Sequence, residues 1–173
     1  MLNTFYTTLF KPRESQASAS ISLMIGGLAV LILALNAAGT FHVGVFGLMI
    51  ILLLFVLAGG LGCYWLATSL HFWAQLLGGQ GDSGQTFQAV VRGLWPLVLS
   101  GSAIASKNLL PALSSLFTLG ILVGTLITVA GSVRQVHQLT WVQAAVSLSL
   151  TLGVSVLALL GLILWPLMLL GGL

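Results

Sequence analysis

Long runs of apolar residues, broken by short polar stretches, dominate this chain of 173 residues. A helix needs about 20 apolar residues to cross the hydrocarbon core of a bilayer. Five stretches approach or exceed that length, and no strand-like alternation of apolar and polar positions is present. The pattern predicts five crossings, at residues 21–35 (extended on both sides), 43–63, 86–105, 112–130 and 142–164.

The second apolar run, residues 43–77, is too long for one crossing. Its 35 residues would extend about 52 Å as a single helix, against a hydrocarbon core of about 30 Å. We therefore predict that residues 43–63 cross and that residues 64–77 continue the helix into the headgroup zone. Four polar residues of this extension share one helix face, and we call them the polar stripe: Tyr64, Thr68, His71 and Gln75.

Short polar stretches are predicted to connect the crossings, at residues 36–40, 78–85 and 132–140, with a turn around Lys107 and Asn108. The third crossing is the weakest, because it holds Arg92 and Pro96. Trp141 and Trp165 bracket the fifth crossing at a separation of 24 residues, about 36 Å. That separation matches the aromatic belts at the two faces of a bilayer.

The composition excludes a soluble domain. Only 4% of the residues are charged and 58% are hydrophobic, whereas an ordinary soluble domain carries about 25% charged residues. We therefore predict an all-α integral membrane bundle of five transmembrane helices, with an interfacial extension of the second helix. Residues 1–20 would form a short cytoplasmic or interfacial amino-terminal segment, and residues 21–173 the transmembrane domain.

Basic residues predict the orientation of the bundle. With five crossings, the amino terminus lies on the same side as the connections at residues 78–85 and 132–140. That side carries four basic residues, Lys11, Arg13, Arg92 and Arg134, and the other side carries Lys107 alone. Cytoplasmic loops carry the excess of Lys and Arg, so we expect the first side to be cytoplasmic. The basic residues form no continuous face, so nucleic-acid binding is not expected.

The first ten residues carry a helical pattern of their own. Apolar and aromatic side chains recur at the spacing of one helix face, at Leu2, Phe5, Tyr6 and Leu9. One interpretation is an amphipathic helix lying flat on the membrane surface, anchored by Lys11 and Arg13. The alternative is a frayed tail.

The polar stretch after the second helix fits two nucleotide-binding patterns, at Gly79, Gly81, Gly84 and Thr86. A phosphate-binding loop needs a preceding strand and a lysine, but a membrane helix precedes these glycines and Gln85 holds the lysine position. We therefore predict no nucleotide binding, and we attribute the glycines to a sharp turn between helices. Asp82 or Ser83 is expected to cap the following helix.

The sequence offers few residues that could catalyse a reaction or bind a metal ion. The two carboxylates, Glu14 and Asp82, lie in polar segments, so no acid–base pair lies within the membrane. None of the three histidines has a second ligand three or four residues away. We therefore expect no catalytic residue, no metal and no cofactor. His71 near Trp73 could hold a haem or chlorophyll-type ring, although a histidine at the headgroups is the favoured interpretation.

Arg92 is the one charged residue well inside a predicted crossing. A charge at the bilayer centre costs about 2.5–3.5 kcal/mol on insertion scales. The favoured interpretation is that Arg92 extends its side chain back to the cytoplasmic headgroups. The alternative is a contact with a substrate.

Small residues at helical spacing predict close helix packing. Gly120 and Gly124 form a G-x-x-x-G pair in the fourth crossing. The fifth crossing carries two series on different faces: Ala145, Ser149 and Gly153, and Ser147, Thr151 and Ser155. Such faces let helices approach closely in lipid, within the protein or against another protein.

The order of these features resembles the Yip1 domain of small five-helix membrane proteins. The resemblance covers about residues 64–164, and it is carried by a long apolar helix, the L-L-G-G-x-G stretch, a weak helix with an early arginine and the stretch R-Q-V-H-Q-L-T-W-V-Q-A-A before the last helix. Its most specific residues are Gly78, Gly79, Gly81, Arg134, His137 and Ala144.

The Yip1 resemblance implies a cytosolic amino terminus and no catalytic residue. Eukaryotic members are similar to adaptors for Rab GTPases and carry a long acidic cytosolic segment. Here the tail before the first crossing has only about twenty residues, so the resemblance points to the bacterial branch and to a bacterial inner or internal membrane.

The sequence thus favours a non-enzymatic, multi-pass membrane scaffold or accessory adaptor subunit. The expected partners are membrane lipids and other membrane proteins, in a hetero-assembly or a homo-oligomer. The packing or interaction candidates are Gly78, Gly79, Gly81, Arg92, Gly120, Gly124, Arg134 and His137, together with the polar stripe. A small transporter or channel is the first alternative, and a pigment- or haem-binding membrane subunit is the second.

Overall fold

The computed structural model describes residues 19–41, 44–105 and 111–170, and within these ranges the chain is helical without any strand. Six α-helices and one 3-10 helix follow one another: α1 (Ala19–Phe41), α2 (Val45–Leu76), α3 (Ser83–Gly93), the 3-10 helix (Trp95–Leu99), α4 (Ser100–Ala105), α5 (Pro111–His137) and α6 (Trp141–Leu170). Four of them, α1, α2, α5 and α6, are long and apolar enough to cross a membrane. The predicted all-α class with several membrane-type helices is confirmed.

Some predicted features lie outside the described residues. The amphipathic pattern of the first ten residues, the basic residues before α1 and the turn around Lys107 and Asn108 all belong to this group. The end of the predicted amino-terminal segment does not, because Ala19 and Ser20 already belong to α1.

Two predicted connections are mostly helix. The turn expected at residues 36–40 is wrong, because α1 continues to Phe41 and the Thr40 hydroxyl donates to the Asn36 carbonyl at 3.0 Å. The loop expected at residues 132–140 is also wrong over its first six residues, because α5 continues to His137. Basic residues in a last turn interact favourably with the negative end of the helix dipole. The polar residues near these ends therefore extend the helices instead of interrupting them.

The third predicted crossing is not one continuous helix. It divides into α3, the 3-10 helix and α4, and it is not among the four long apolar helices. Pro96 lies at the start of the 3-10 helix. Proline has no N–H to donate to the carbonyl four residues earlier, so it ends the α-helical hydrogen bonding of α3.

This broken segment nevertheless follows α5 along most of its length. Contacts pair the two in opposite order: Gly81 with Val136, Gly93 with Val129, Pro96 with Gly124, and Ala103 with Ser114. Residues 114–136 of α5 extend about 33 Å, which is comparable with the thickness of a hydrocarbon core.

The first helix runs parallel to this broken segment. Gly26 of α1 approaches Val91, and Ile32 approaches Gly101. The start of α1 therefore lies at the same end of the bundle as the connections at residues 77–82 and 138–140. We call this the closed end and the opposite end the open end.

The buried core is concentrated toward the closed end. It contains Ala67, Leu70 and Ala74 of α2, Val90 of α3, Val129, Ala130 and Val133 of α5, and Leu139 and Leu148 near the start of α6. The other halves of α2, α5 and α6 carry most of the exposed large apolar side chains. The core is therefore larger at the closed end, while α1, α4 and α5 still contact their neighbours toward the open end.

Two helices of this core, α3 and α5, approach each other closely at Gly93. A Cβ atom on Gly93 would lie 2.6 Å from Val129 Cγ2 and 2.7 Å from Val129 Cα. The Thr128 hydroxyl also donates to the Gly93 carbonyl at 2.6 Å. Any side chain at position 93 would therefore push the two backbones apart.

We expect Gly93→Ala to lower the free energy of unfolding by about 1–3 kcal/mol, the usual cost of overpacking a core. Gly120→Ala on α5 is the matched control, because a Cβ there meets nothing within 4 Å. The control should leave stability unchanged or raise it by up to about 1 kcal/mol, since alanine favours helix over glycine. Thermal unfolding in detergent, followed by tryptophan fluorescence, measures both; equal behaviour of the two variants would contradict the close approach.

Candidate functional site

The most concentrated polar chemistry of the described chain surrounds His137, the last residue of α5. Its side chain is only 1% exposed. The Gly81 backbone N–H donates to Nδ1 at 3.2 Å, so Nδ1 carries no proton. In the neutral ring the proton is then on Nε2, which donates to Thr86 Oγ1 at 2.8 Å.

Thr86 connects this ring to α2 and to the start of its own helix. Its hydroxyl donates to the Asp82 carbonyl at 2.8 Å, so it can accept from His137. His71 Nδ1 lies 3.4 Å from the same oxygen, and the His71 and His137 rings are 5.3 Å apart. We call His71, Gly81, Thr86 and His137 the histidine joint. It fastens the ends of α2 and α5 to the start of α3.

The glycines before α3 allow this joint to form. Gly78 has a φ of +90°, a conformation that side chains disfavour. A Cβ on Gly79 would lie 2.8 Å from His137 Nδ1, and one on Gly81 would lie 2.6 Å from Val136 Cγ1. Gly79 and Gly81, two of the three glycines of the nucleotide patterns, therefore pack against α5, whereas Gly84 is exposed and contacts Asp82. Asp82 caps α3 as predicted, because its carboxylate accepts from the Gly84 N–H at 2.8 Å.

Arg134 stabilises the short connection between α5 and α6. Gln138 has a φ of 55°, and the Leu139 N–H donates to the Arg134 carbonyl at 3.0 Å, which is the hydrogen bond of a Schellman motif. The Arg134 Nε in turn donates to the Leu139 carbonyl at 3.2 Å. Its guanidinium carbon lies 5.0 Å from the centre of the Trp141 ring, within cation–π distance.

A capping box begins α6 and ties it to α2. The Thr140 N–H donates to Gln143 Oε1 at 2.9 Å, and the Gln143 N–H donates to Thr140 Oγ1 at 3.3 Å. The side-chain Nε2 of Gln143 donates to the carbonyl of Leu77, at the end of α2, at 3.0 Å. The Thr-x-x-Gln spacing is a sequence signal for this motif that the sequence analysis did not use.

The structure divides the polar stripe of α2. Tyr64 is 67% exposed, and Thr68 and Gln75 are also exposed. His71 is half-buried at the edge of the stripe and belongs to the histidine joint. In the described part of the chain, no three His, Cys, Asp or Glu side chains are grouped closely enough to hold a metal ion.

A groove of about 800 Å³ opens between α2 and α6, and we call it the α2–α6 groove. It is lined by Gly62, Tyr64, Trp65 and Thr68 of α2 and by Ser155, Ala158 and Leu162 of α6. Trp65 Nε1 donates to Ser155 Oγ at 3.0 Å across it. One polar series of α6 therefore faces α2: Ser147 and Thr151 are fully buried, whereas Ala145, Ser149 and Gly153 are exposed.

A second groove, of about 460 Å³, lies between the 3-10 helix and α5, and we call it the 3-10/α5 groove. Its lining includes Trp95, Pro96, Leu99, Gly120, Gly124 and Thr128. A Cβ on Gly124 would lie 3.8 Å from Pro96, whereas one on Gly120 would meet nothing within 4 Å. The G-x-x-x-G pair thus contacts the 3-10 helix at one glycine and opens into a groove at the other.

Arg92 lies on α3, one turn before this groove. It is half-buried, and its Nε donates to the Gln88 carbonyl at 3.3 Å. Gln88 is one turn nearer the start of α3, so the arginine side chain is directed toward the closed end. Its two sequence neighbours on α3, Val91 and Gly93, are buried.

Comparison with known proteins gives no match for this chain among family models, curated proteins or solved structures. The resemblance to the Yip1 domain therefore rests on the residues that carry it. Of these residues, Gly79 and Gly81 approach His137, and Ala144 is buried one turn into α6.

We expect Thr86→Val to lower the free energy of unfolding by about 1–3 kcal/mol, because it leaves the buried His137 Nε2–H without an acceptor. Thr86→Ser keeps the hydroxyl and should cost clearly less. The stabilities of both variants are measured by the same thermal unfolding in detergent. A serine variant as unstable as the valine variant would mean that the methyl group, not the hydrogen bond, holds the joint.

Proposed function

We propose that this protein is a non-enzymatic, multi-pass membrane scaffold or accessory adaptor subunit, similar in role to Yip1-domain proteins, that binds a transmembrane helix of a partner protein. The supporting observation is the unequal packing of the bundle. The polar groups of the histidine joint bond to one another at the closed end, while the α2–α6 groove remains open on the outside of the bundle.

The α2–α6 groove has the features that helix association in lipid requires. Gly62 and Ala158 are small, so a partner backbone can approach closely. Tyr64 and Thr68 line the same groove. The Thr68 hydroxyl already donates to the Tyr64 carbonyl at 2.8 Å, so it can only accept from a partner, whereas the Tyr64 hydroxyl can donate or accept. Interhelical hydrogen bonds to such groups contribute about 0.6–2 kcal/mol each in a membrane. We therefore assign the partner contact to this groove.

The proposal includes five crossings, with the amino terminus and the closed end in the cytoplasm of a bacterial cell. The third crossing is the segment from α3 to α4. Its support is the antiparallel course beside α5 over about 33 Å, which is enough to traverse the hydrocarbon core despite the break at Pro96. The basic residues Arg92 and Arg134 lie toward the closed end, in agreement with the excess of positive charge on cytoplasmic sides.

Cysteine labelling checks this topology. We expect Ser83→Cys and Asn108→Cys, each in a Cys63→Ala background, to react with a membrane-impermeant reagent from opposite sides, with Ser83 accessible from the cytoplasm. Labelling of both positions from one side would mean that the segment between them returns without crossing, and four crossings would remain.

The partner contact is tested by filling the groove. Ala158→Phe places a bulky ring among the groove-lining residues, and Val156→Phe adds a ring at an exposed position of α6 that does not line the groove. We expect the wild type and Val156→Phe to retain a co-purifying membrane protein in mild detergent, and Ala158→Phe to lose at least 80% of it (about 1 kcal/mol) with an unchanged melting temperature.

Two results would overturn the contact role. One is a wild-type protein that purifies without any partner and moves a solute across reconstituted vesicles, as a transporter would. The other is partner retention by Ala158→Phe equal to that of Val156→Phe, which would exclude the α2–α6 groove as the binding surface.

A further inference from the structure

Arg92 has no described carboxylate to neutralise it. In the described part of the chain, Asp82 is the only carboxylate, and it caps the opposite end of α3. Ten residues separate Asp82 from Arg92, which is about 15 Å along a helix. The other described basic residue, Arg134, lies over the Trp141 ring. Arg92 is therefore a half-buried cation with no anionic partner among the described residues.

The outward face of α3 presents Arg92 to the lipid. The neighbours of α3 are α1, α2, α5 and the 3-10 helix. Val90, Val91 and Gly93 are buried toward these neighbours. Arg92 lies on the remaining face, with Gln85 and Gln88 at the helical spacings of seven and four residues before it. The bond from Arg92 Nε to the Gln88 carbonyl directs the guanidinium toward the membrane surface at the closed end.

The 3-10/α5 groove begins one turn beyond Arg92, at Trp95 and Pro96. Its lining follows α5 from Thr128 to Leu113, about 22 Å along the helix. One leaflet of hydrocarbon is about 15 Å thick. Thr128 already donates its hydroxyl to Gly93 and Gly124 carbonyls, so the groove offers mainly apolar surface. A cation thus stands at the mouth of an apolar groove that is as long as a lipid chain.

We propose that Arg92 and the 3-10/α5 groove form a binding site for an anionic phospholipid of the leaflet at the closed end. The guanidinium binds the phosphate through paired N–H donors, and one acyl chain lies in the groove. The net negative charge of the headgroup supplies the anion that the described chain lacks. This site lies on a different face from the α2–α6 groove and does not depend on the contact role proposed above.

Lipid titration followed by native mass spectrometry tests whether the site prefers a lipid with net negative charge. The purified full chain in non-ionic detergent is titrated with dioleoyl phosphatidylglycerol and, separately, with dioleoyl phosphatidylcholine, which has the same chains and no net charge. We expect about tenfold tighter binding of phosphatidylglycerol to the wild type, the usual scale of one charge-assisted hydrogen bond. Arg92→Gln should abolish this preference, and Arg92→Lys should retain part of it. Inorganic phosphate should not compete, because it brings no acyl chain.

A variant that fills the 3-10/α5 groove tests whether an acyl chain lies in it. Gly120→Leu places a side chain where a Cβ meets nothing within 4 Å, so the fold accepts it while the groove is occupied. We expect at least fivefold weaker binding of both lipids to this variant. Gly153→Leu on α6 is the control, since its Cβ also meets nothing within 4 Å and it does not line the groove. It should bind both lipids like the wild type.

Several outcomes would overturn the lipid site. Equal affinity of the wild type for the two lipids would exclude a site for anionic lipid, and an undiminished preference in Arg92→Gln would exclude Arg92 as the source of that preference. Competition by inorganic phosphate alone would show a simple anion site. A change of oligomeric state in Gly120→Leu, with lipid binding intact, would assign the groove to a second copy of the chain.

Discussion

The neutral ring of His137 accepts one backbone N–H and donates to one hydroxyl, and through these two bonds the end of α5 is fastened to the start of α3. Such hydrogen bonds matter more in a membrane than in water, because lipid chains are as apolar as the helix surfaces and provide no hydrophobic drive for helices to associate. Close packing and hydrogen bonds must supply the attraction instead. The glycines at positions 79 and 81 are required because any side chain there would overlap His137 or Val136. The Arg134 and Gln143 bonds to neighbouring carbonyls fasten the same end further.

The concentration of these bonds at the closed end explains the shape of the rest. Where the joint and the glycine contact at position 93 draw the backbones together, the side chains are buried. Toward the open end most large apolar side chains of α2, α5 and α6 face outward, and the buried residues there are the small ones, Ala34, Ala38 and Ala103. In a bilayer the outward surfaces are solvated by lipid, so the open end does not require a large core.

The polar residues of this chain therefore have two distinct uses. Those of the histidine joint bond internally and hold the bundle. Tyr64 and Thr68 are exposed and Arg92 is half-buried, and the described hydrogen bonds of Thr68 and Arg92 lie within their own helices. The partner helix and the lipid proposed above would bind at these outward groups.

Hydropathy alone determined that the chain is an all-α membrane protein, because a backbone in lipid must satisfy its hydrogen bonds within each helix, and that requirement is local. Local chemistry also limited the cap of α3 to Asp82 or Ser83, of which the structure has Asp82, and the Thr140–Gln143 capping box was equally readable. Only the tertiary structure decided that residues 36–40 and 132–137 are helical, since a short polar stretch can either leave the membrane or find a partner inside the protein. It also decided that His71 belongs to the joint while Tyr64 and Thr68 do not, and which small-residue face of α6 packs on α2. Residue spacing places side chains on a common helix face, but it carries no information on which helix lies opposite that face.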